Sequence, residues 1–167
     1  MRIADETREL CFYNRFGQFI FKEARGRGAG YEWPQLSIHR ADLHEVLLEA
    51  VFERLGRDAF LTGKKCVSVT EDGTAKFEDG TIANGTCVIG CDGIHSSVRK
   101  QLFPGEGPPA YQGINMWRGV THMKPFLGGA SMAVAGWLEA GKMVVYPIRK
   151  PDADGLQLVN WVAEIQS

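Results

Sequence analysis

The sequence predicts an α+β fold, and three observations support this prediction. One segment, residues 41–55, repeats apolar residues at helical spacing. Short β-rich pieces separated by turn dipeptides follow between residues 65 and 91. Four further β-rich segments, residues 112–122, 131–137, 142–149 and 156–165, fill the second half of the chain. A length of 167 residues is enough for one domain of ordinary size.

The composition is that of a globular domain. Hydrophobic residues make up 44% of the chain and charged residues 23%, with a formal net charge of -1. This balance disfavours binding to nucleic acid or to an anionic membrane, which needs a basic face. No run of about 18 apolar residues is present, so we expect no membrane span, and the start MRIADETREL does not resemble a secretory signal.

The cysteines show no metal-ligand spacing. We therefore expect no metal site and interpret all four as reduced thiols, which favours a cytoplasmic location. Two of them flank the apolar run 88–90, where cysteine commonly serves as a small buried residue. The four are Cys11, Cys66, Cys87 and Cys91.

The first 36 residues predict two strands and a loop. Residues 10–22 alternate as two strands around the turn 15–17, and glycines with Pro34 mark residues 25–36 as a loop. The loop opens like the dinucleotide fingerprint G-x-G-x-x-G, but Tyr31 occupies the sixth position and no helical pattern follows. The fingerprint needs a strand that turns directly into a helix, so we do not interpret this loop as a dinucleotide site.

The helix predicted over residues 41–55 begins next to a cation. Asp42 and Glu45 suit the positive end of the helix dipole, and Gly56 is a suitable terminator. Arg40 does not suit that end, unless an anion binds both its guanidinium and the free N–H groups. The alternative is a surface ion pair between Arg40 and Asp42 or another nearby carboxylate.

A second candidate site follows residues 87–91, which are continuously apolar and predict a strand covered on both faces. Asp92 comes directly after this strand, where a carboxylate can accept hydrogen bonds from ribose hydroxyls, and Gly93 lets a phosphate approach the backbone. The alternative is an Asp-Gly turn before a serine-capped helix from Ser96 or Ser97 to Leu102. Arg99 contacts a phosphate or lies on the helix surface.

Three motifs, in this order and spacing, resemble one enzyme family. They are SIHRADL at 37–43, similar to an arginine motif, CVIGCDGIHSSVR at 87–99, similar to an Asp-Gly motif, and MWRGV at 116–120, similar to the strand that opens a substrate-domain sheet. The family is the class A FAD monooxygenases, the para-hydroxybenzoate hydroxylase superfamily. Within it, GYEWPQ at 30–35 and NWV at 160–162 look closest to the methylphenazine-carboxylate monooxygenases of phenazine biosynthesis.

The resemblance implies a role for several residues. Arg40 would contact the FAD phosphates or ribityl chain, and Asp92 with Gly93 would lie where FAD ribose and the pyridine nucleotide are contacted. Trp117 and Tyr146 would lie on strands that floor the substrate cavity, although aromatic residues there are as often part of a core. No side chain is assigned as catalytic.

The family's chemistry depends on its cofactors. NADH or NADPH reduces FAD, the reduced flavin activates dioxygen as a flavin hydroperoxide, and an aromatic substrate is hydroxylated. The protein supplies binding, orientation and exclusion of water.

The family pattern also predicts an organisation for the chain. Residues 1–36 would be the start of the substrate-domain hairpin, residues 37–110 a partial FAD- and NAD(P)-binding domain, and residues 111–167 the substrate-domain β-sheet. The family's G-x-G-x-x-G unit and C-terminal Gly-Asp motif are absent from the sequence. We therefore expect an internal fragment that is inactive alone, binds FAD weakly or not at all, and forms a homodimer through uncovered surfaces.

Two other functions remain open at this point. A non-enzymatic β-rich binding module is compatible with the absence of any self-contained catalytic group. A related flavoprotein reductase or halogenase would share the same motifs, although the Trp-x-Trp-x-Ile-Pro signature typical of halogenases is absent.

Overall fold

The computed structural model describes residues 3–166. These residues divide into two compact units, one containing the residues up to Glu49 and those from Gln112 onward, the other Ala50–Tyr111. The described chain contains eleven strands and two α-helices. They are β1 (Ala4–Thr7), β2 (Glu9–Tyr13), β3 (Phe19–Ala24), β4 (Gln35–Ile38), α1 (Arg40–Leu55), β5 (Cys66–Val69), β6 (Thr74–Phe77), β7 (Ile82–Asn84), α2 (Ser97–Leu102), β8 (Ile114–Met123), β9 (Ser131–Trp137), β10 (Gly141–Pro147) and β11 (Gln157–Gln166).

The first unit is built on a six-stranded sheet in the order β3-β2-β9-β10-β11-β8. All its pairs are antiparallel except β2 with β9, which run parallel. The β9–β10 hairpin depends on Gly136, where φ is +80° and an added Cβ would lie 2.2 Å from the carbonyl oxygen of Gly141. Only glycine tolerates both that dihedral angle and that approach, so the sequence determines this hairpin locally.

A two-stranded ribbon, β1 with β4, belongs to the same unit. The hydroxyl oxygens of Thr7 and Ser37 join its strands at 2.6 Å, and both residues are buried. Gln157, which is fully buried at the start of β11, donates from Nε2 to Asp5 Oδ2 at 3.0 Å and to the Gly129 carbonyl at 2.9 Å. These hydrogen bonds attach the ribbon to the sheet, because a buried amide and carboxylate need partners.

The second unit contains the antiparallel meander β5-β6-β7 and the helix α2. Gln101 of α2 accepts a hydrogen bond from the Val69 backbone N–H at 2.9 Å, and its own amide donates back to the Val69 carbonyl. This reciprocal pair holds the helix to strand β5.

Most predicted elements are confirmed within the described residues. The helix predicted over 41–55 is α1, the serine-capped helix is α2, and the four strands of the second half are β8 to β11. The loop at 26–31 forms a 3₁₀ turn at Gly26–Ala29 and leads into strand β4 rather than directly into a helix. No helix in the described part of the chain is long and apolar enough to cross a membrane.

The loop predicted over 25–36 is confirmed up to Pro34, and its last two residues belong to strand β4, which pairs with the distant β1. One prediction is wrong. The buried strand predicted at 87–91 is irregular and exposed: Ile89 is 80% exposed, and Cys87 and Cys91 are also exposed rather than buried. A strand needs a hydrogen-bonded neighbour, and no described strand pairs with this segment.

The predicted family domains do not coincide with the two compact units. The second unit begins at Ala50 rather than at residue 37, because the first turns of α1 belong to the sheet-bearing unit. The residues before 37 contribute β2 and β3 to the same sheet as β8 to β11. Assignment of these parts to an FAD-binding and a substrate domain stays a prediction.

Candidate functional site

Arg40 is the first residue of α1, in the first unit. His39 precedes the helix, and its Nδ1 accepts a hydrogen bond from the Ala41 N–H at 3.3 Å. The Arg40 side chain is exposed, and none of the ion pairs found among residues 3–166 includes it. A guanidinium at the positive end of a 16-residue helix is therefore available to an anion.

The alternative interpretation, an ion pair between Arg40 and Asp42, is wrong. Asp42 is buried and binds Arg149 instead: Arg149 Nε donates to Oδ2 at 2.7 Å, and its Nη2 donates to Oδ1. Residues two apart on a helix point to nearly opposite sides, so Arg40 and Asp42 do not face each other. The hydrogen bonds from Arg149 hold the pKa of the Asp42 carboxyl below its usual range.

Asp92 acts as a cap for α2 in the second unit. Its Oδ2 accepts hydrogen bonds from the N–H groups of Ser97 at 2.7 Å and Val98 at 3.3 Å, and its Oδ1 accepts one from the Ser96 hydroxyl. These bonds, chiefly the one from Ser96, lower the pKa of the Asp92 carboxyl. The Ser96 hydroxyl oxygen accepts a hydrogen bond from the Arg99 N–H at 2.9 Å, so the serine-capped helix, given above as one alternative, is present. The exposed Asp92 carboxylate retains lone pairs for a further donor.

Gly93 and Arg99 lie beside an open groove of the same unit. The groove has a volume of 880 Å³ and is formed by residues 93–96, by Arg99 and Lys100 of α2 and by the segment 103–110. Gly93 has a φ of +79°, and no atom lies within 4 Å of an added Cβ. Arg99 forms a two-point ion pair with Glu106, which lowers the pKa of the Glu106 carboxyl. The guanidinium of Arg99 is therefore occupied, in agreement with its surface interpretation.

Trp117 and Tyr146 lie on opposite faces of the six-stranded sheet. Gly119 of β8 is paired with Trp161 of β11, and Trp161 is paired with Val145 of β10, so these three residues share one face. Trp117 is two residues before Gly119 and lies on the same face. Tyr146 is the next residue after Val145, and successive residues of a strand point to opposite faces. The two aromatic residues therefore cannot floor one cavity together, contrary to the expectation above.

For three residues the sequence did not indicate the contact that the structure shows, although Trp161 belongs to the NWV motif quoted above. They are Arg149, which binds Asp42 across 107 positions, Gln157 in the core, and Trp161, whose ring lies over Gly119. A glycine opposite a tryptophan in neighbouring strands is a recognisable pattern, but it requires knowledge of the register. Nothing local marks Arg149 or Gln157.

Comparisons with known proteins extend these observations. No protein-family model matches the sequence. The phenazine 1,6-dicarboxylic acid hydroxylase PhzS of Lysobacter antibioticus is 37% identical over 175 aligned residues, which include 95% of this chain. The chain is a homologue of FAD-dependent aromatic monooxygenases. A second relative in this family, 3-amino-4-hydroxybenzoate 2-monooxygenase of Streptomyces cremeus, is 35% identical over 70% of the chain.

Solved structures of flavin-dependent monooxygenases share the fold. The R204Q variant of Klebsiella pneumoniae HpxO, complexed with FAD, superposes with a TM-score of 0.75 over 98% of this chain, at 21% identity. Pseudomonas aeruginosa PqsL in complex with 2-aminobenzoylacetate gives a TM-score of 0.75 over 99% of this chain, at 17% identity. The chain spans 42% of the length of PhzS, 42% of that of HpxO and 44% of that of PqsL.

Proposed function

We propose that the protein carrying this chain is an FAD- and NAD(P)H-dependent monooxygenase that hydroxylates an aromatic ring. The observation that carries the proposal is the 37% identity to a phenazine dicarboxylic acid hydroxylase over 95% of the chain. FAD, when bound, supplies electron transfer from the nicotinamide and activation of dioxygen. The relatives are a hydroxylase and a monooxygenase, so the alternative of a non-enzymatic binding module is disfavoured.

Arg40 is the proposed phosphate or ribityl contact for FAD. An unpaired, exposed guanidinium on the first residue of a 16-residue helix has the donor geometry and charge that a pyrophosphate requires. The position and charge of Arg40 therefore suit an FAD phosphate, and the resemblance of SIHRADL to the arginine motif of the family supports the same role.

Asp92 and Gly93 are the proposed contacts for a ribose and for the pyridine nucleotide. The carboxylate of Asp92 is fixed in direction by α2, so it could accept a ribose hydroxyl without losing its cap. The open backbone at Gly93 would allow close approach of a ligand. Arg99 contributes only after leaving Glu106, so the proposal does not depend on it.

The substrate side of the proposal uses the face of the sheet that carries Trp117. Trp161 shares this face, where it is paired with Gly119 on one side and Val145 on the other. Two indoles on one apolar face suit a flat aromatic ring, which binds by stacking and apolar contact. Tyr146 belongs to the other face and is not included.

The direct test uses the complete coding sequence that contains these 167 residues. The purified protein should show the absorption bands of bound flavin and should oxidise NADH or NADPH faster when an aromatic acid is added. Phenazine-1,6-dicarboxylic acid and 3-amino-4-hydroxybenzoate are the first substrates to try, because the two relatives are named for them. Mass spectrometry should detect a product with one added oxygen atom, and ¹⁸O₂ should label it. A flavin-loaded protein that never yields an oxygenated product would contradict the proposal.

A second reaction of the same class deserves an assay. The zeaxanthin epoxidase of Oryza sativa subsp. japonica is 34% identical over 136 residues, which include 74% of this chain. Oxygen insertion into an alkene is therefore the alternative to ring hydroxylation. The assay adds an alkene substrate, zeaxanthin, and an epoxide product with one added oxygen atom would support it.

We also propose that the chain self-associates through β3. All six residues of this edge strand are exposed, and Phe19, Ile20 and Phe21 are apolar. An exposed apolar edge favours pairing with another strand. Light scattering should show a dimer that Ile20→Lys dissociates, and a wild-type monomer at micromolar concentration would contradict this assignment.

A further inference from the structure

The two-point ion pair between Arg149 and Asp42 has no role in the function proposed above. Arg149 follows β10 in the segment after Pro147, whereas Asp42 lies in the first turn of α1. The Asp42 side chain is 9% exposed and that of Arg149 46% exposed. The pair therefore anchors the beginning of a long helix to the far end of the chain, at the point where the proposed flavin contact is located.

The geometry of the helix links this pair to Arg40. Each residue advances about 100° around an α-helix, so Arg40 points roughly 200° away from Asp42. An anchor on Asp42 therefore determines the rotation of the first turn, and with it the side on which Arg40 is exposed. Two hydrogen bonds from a planar guanidinium determine orientation more strictly than one hydrogen bond does.

The charges indicate a second effect. Asp42 is the acidic residue of the first turn, two positions from Arg40. A carboxylate without a partner there would reduce the positive potential at the helix start and attract the flexible guanidinium of Arg40. With both carboxylate oxygens bound by Arg149, this competition is removed.

We propose that Arg149 is a positioning residue for the flavin site: by holding Asp42, it sets the direction of Arg40 and keeps its guanidinium free for a phosphate. The inference rests on the proposed function, because it takes Arg40 as the FAD contact. It assigns Arg149 a role through Asp42 and no contact with FAD.

The test is a double-mutant cycle on FAD affinity, measured by quenching of flavin fluorescence with the product of the complete coding sequence. We expect Arg40→Gln to weaken FAD binding by at least about tenfold, and Arg149→Gln by about threefold to tenfold. In the Arg40→Gln background, Arg149→Gln should change the dissociation constant by less than about twofold. A purely structural role would weaken binding equally in both backgrounds.

A matched control is the ion pair between Lys142 and Glu164 of the same unit, whose side chains are 27% and 13% exposed. Lys142→Gln removes a pair that is similarly buried but does not involve α1, so it should leave FAD affinity unchanged. Arg149→Lys keeps the charge but not the two-point geometry, and should recover part of the affinity lost in Arg149→Gln.

The outcomes distinguish the inference from the proposed function. Additive losses for Arg40→Gln and Arg149→Gln overturn the positioning role alone, whereas an unchanged affinity in Arg40→Gln overturns the flavin contact and the inference together. A wild-type protein that binds no FAD overturns the proposed function itself, and with it the inference. If circular dichroism shows that Arg149→Gln does not fold, Asp42→Asn replaces it. This variant removes the anchor but leaves no unpaired carboxylate, so we expect a smaller loss of FAD affinity, which should again disappear in the Arg40→Gln background.

Discussion

Gly119→Ala tests the register of the sheet and the position of the Trp161 ring. An added Cβ would lie 2.5 Å from Trp161 Cζ2 and 2.8 Å from Cε2. Carbon atoms in contact stay about 3.5 Å apart or more, so the indole must move by about 1 Å. Overpacking of this kind costs about 1–3 kcal/mol, and the lower entropy of the unfolded alanine chain returns about 0.4–1 kcal/mol. The difference lies between about 0 and 2.6 kcal/mol, and we expect the free energy of unfolding to fall by about 1 kcal/mol, near the middle of that range.

The assay is thermal unfolding followed by circular dichroism, together with tryptophan emission of the native protein. For a chain of this size a loss of about 1 kcal/mol lowers Tm by about 2–4 °C. Emission should shift to longer wavelength, because Trp161 is pushed toward solvent. Gly105→Ala is the control, since no atom lies within 4 Å of an added Cβ there and no positive φ is present. An equal or higher Tm for Gly119→Ala with unchanged emission would refute the placement of the ring.

Three further predictions concern the core, a helix cap and acid stability. Val159 is 1% exposed, so Val159→Ala should lower the free energy of unfolding by about 2 kcal/mol. Urea titration should show this loss at an unchanged m-value, and a loss below about 0.5 kcal/mol would contradict the place of Val159 in the core. Asp92→Ala should speed hydrogen exchange at the first amides of α2, which lose their acceptor, whereas wild-type protection there would mean that the cap is dispensable. Because its pKa is lowered in the folded state, Asp42 contributes stability that is complete above about pH 4 and lost as pH falls through the lowered value. Asp42→Asn should therefore flatten the acid limb of the stability curve, and an identical limb in both proteins would show that the link to Arg149 adds nothing.

A polypeptide of these 167 residues is a useful comparison for the flavin experiments. It contains no strand–helix unit with G-x-G-x-x-G, the loop that holds the pyrophosphate in dinucleotide-binding folds. We expect it to bind FAD weakly or not at all, and a purified yellow sample with one flavin per chain would contradict this expectation.

Local patterns in the sequence predicted much of the secondary structure. The helical spacing of residues 41–55 identified α1, and the serine at position 96 identified the start of α2. The β-rich segments of the second half matched β8 to β11 to within a few residues. These elements depend on contacts between near neighbours, which a sequence records directly.

Predictions that depended on distant partners were less successful. Strand β1 was not recognised because its partner β4 lies about thirty positions away. Residues 87–91 have the composition of a buried strand, but pairing and cover must come from other segments, and the described chain provides no paired strand. Trp117 and Tyr146 were grouped by composition, and only the register placed them on opposite faces.

The sequence by itself determined the two candidate sites around Arg40 and Asp92, since each is a short motif beside a helix start. It also determined the caps and hairpin turns, which depend on residues within a few positions of one another. Only the tertiary structure decided that Arg149 rather than Arg40 binds Asp42, and that Trp161 lies over Gly119. Both contacts join residues far apart in the chain. Each contact depends on how the strands align or on where α1 packs, and no local sequence pattern specifies either.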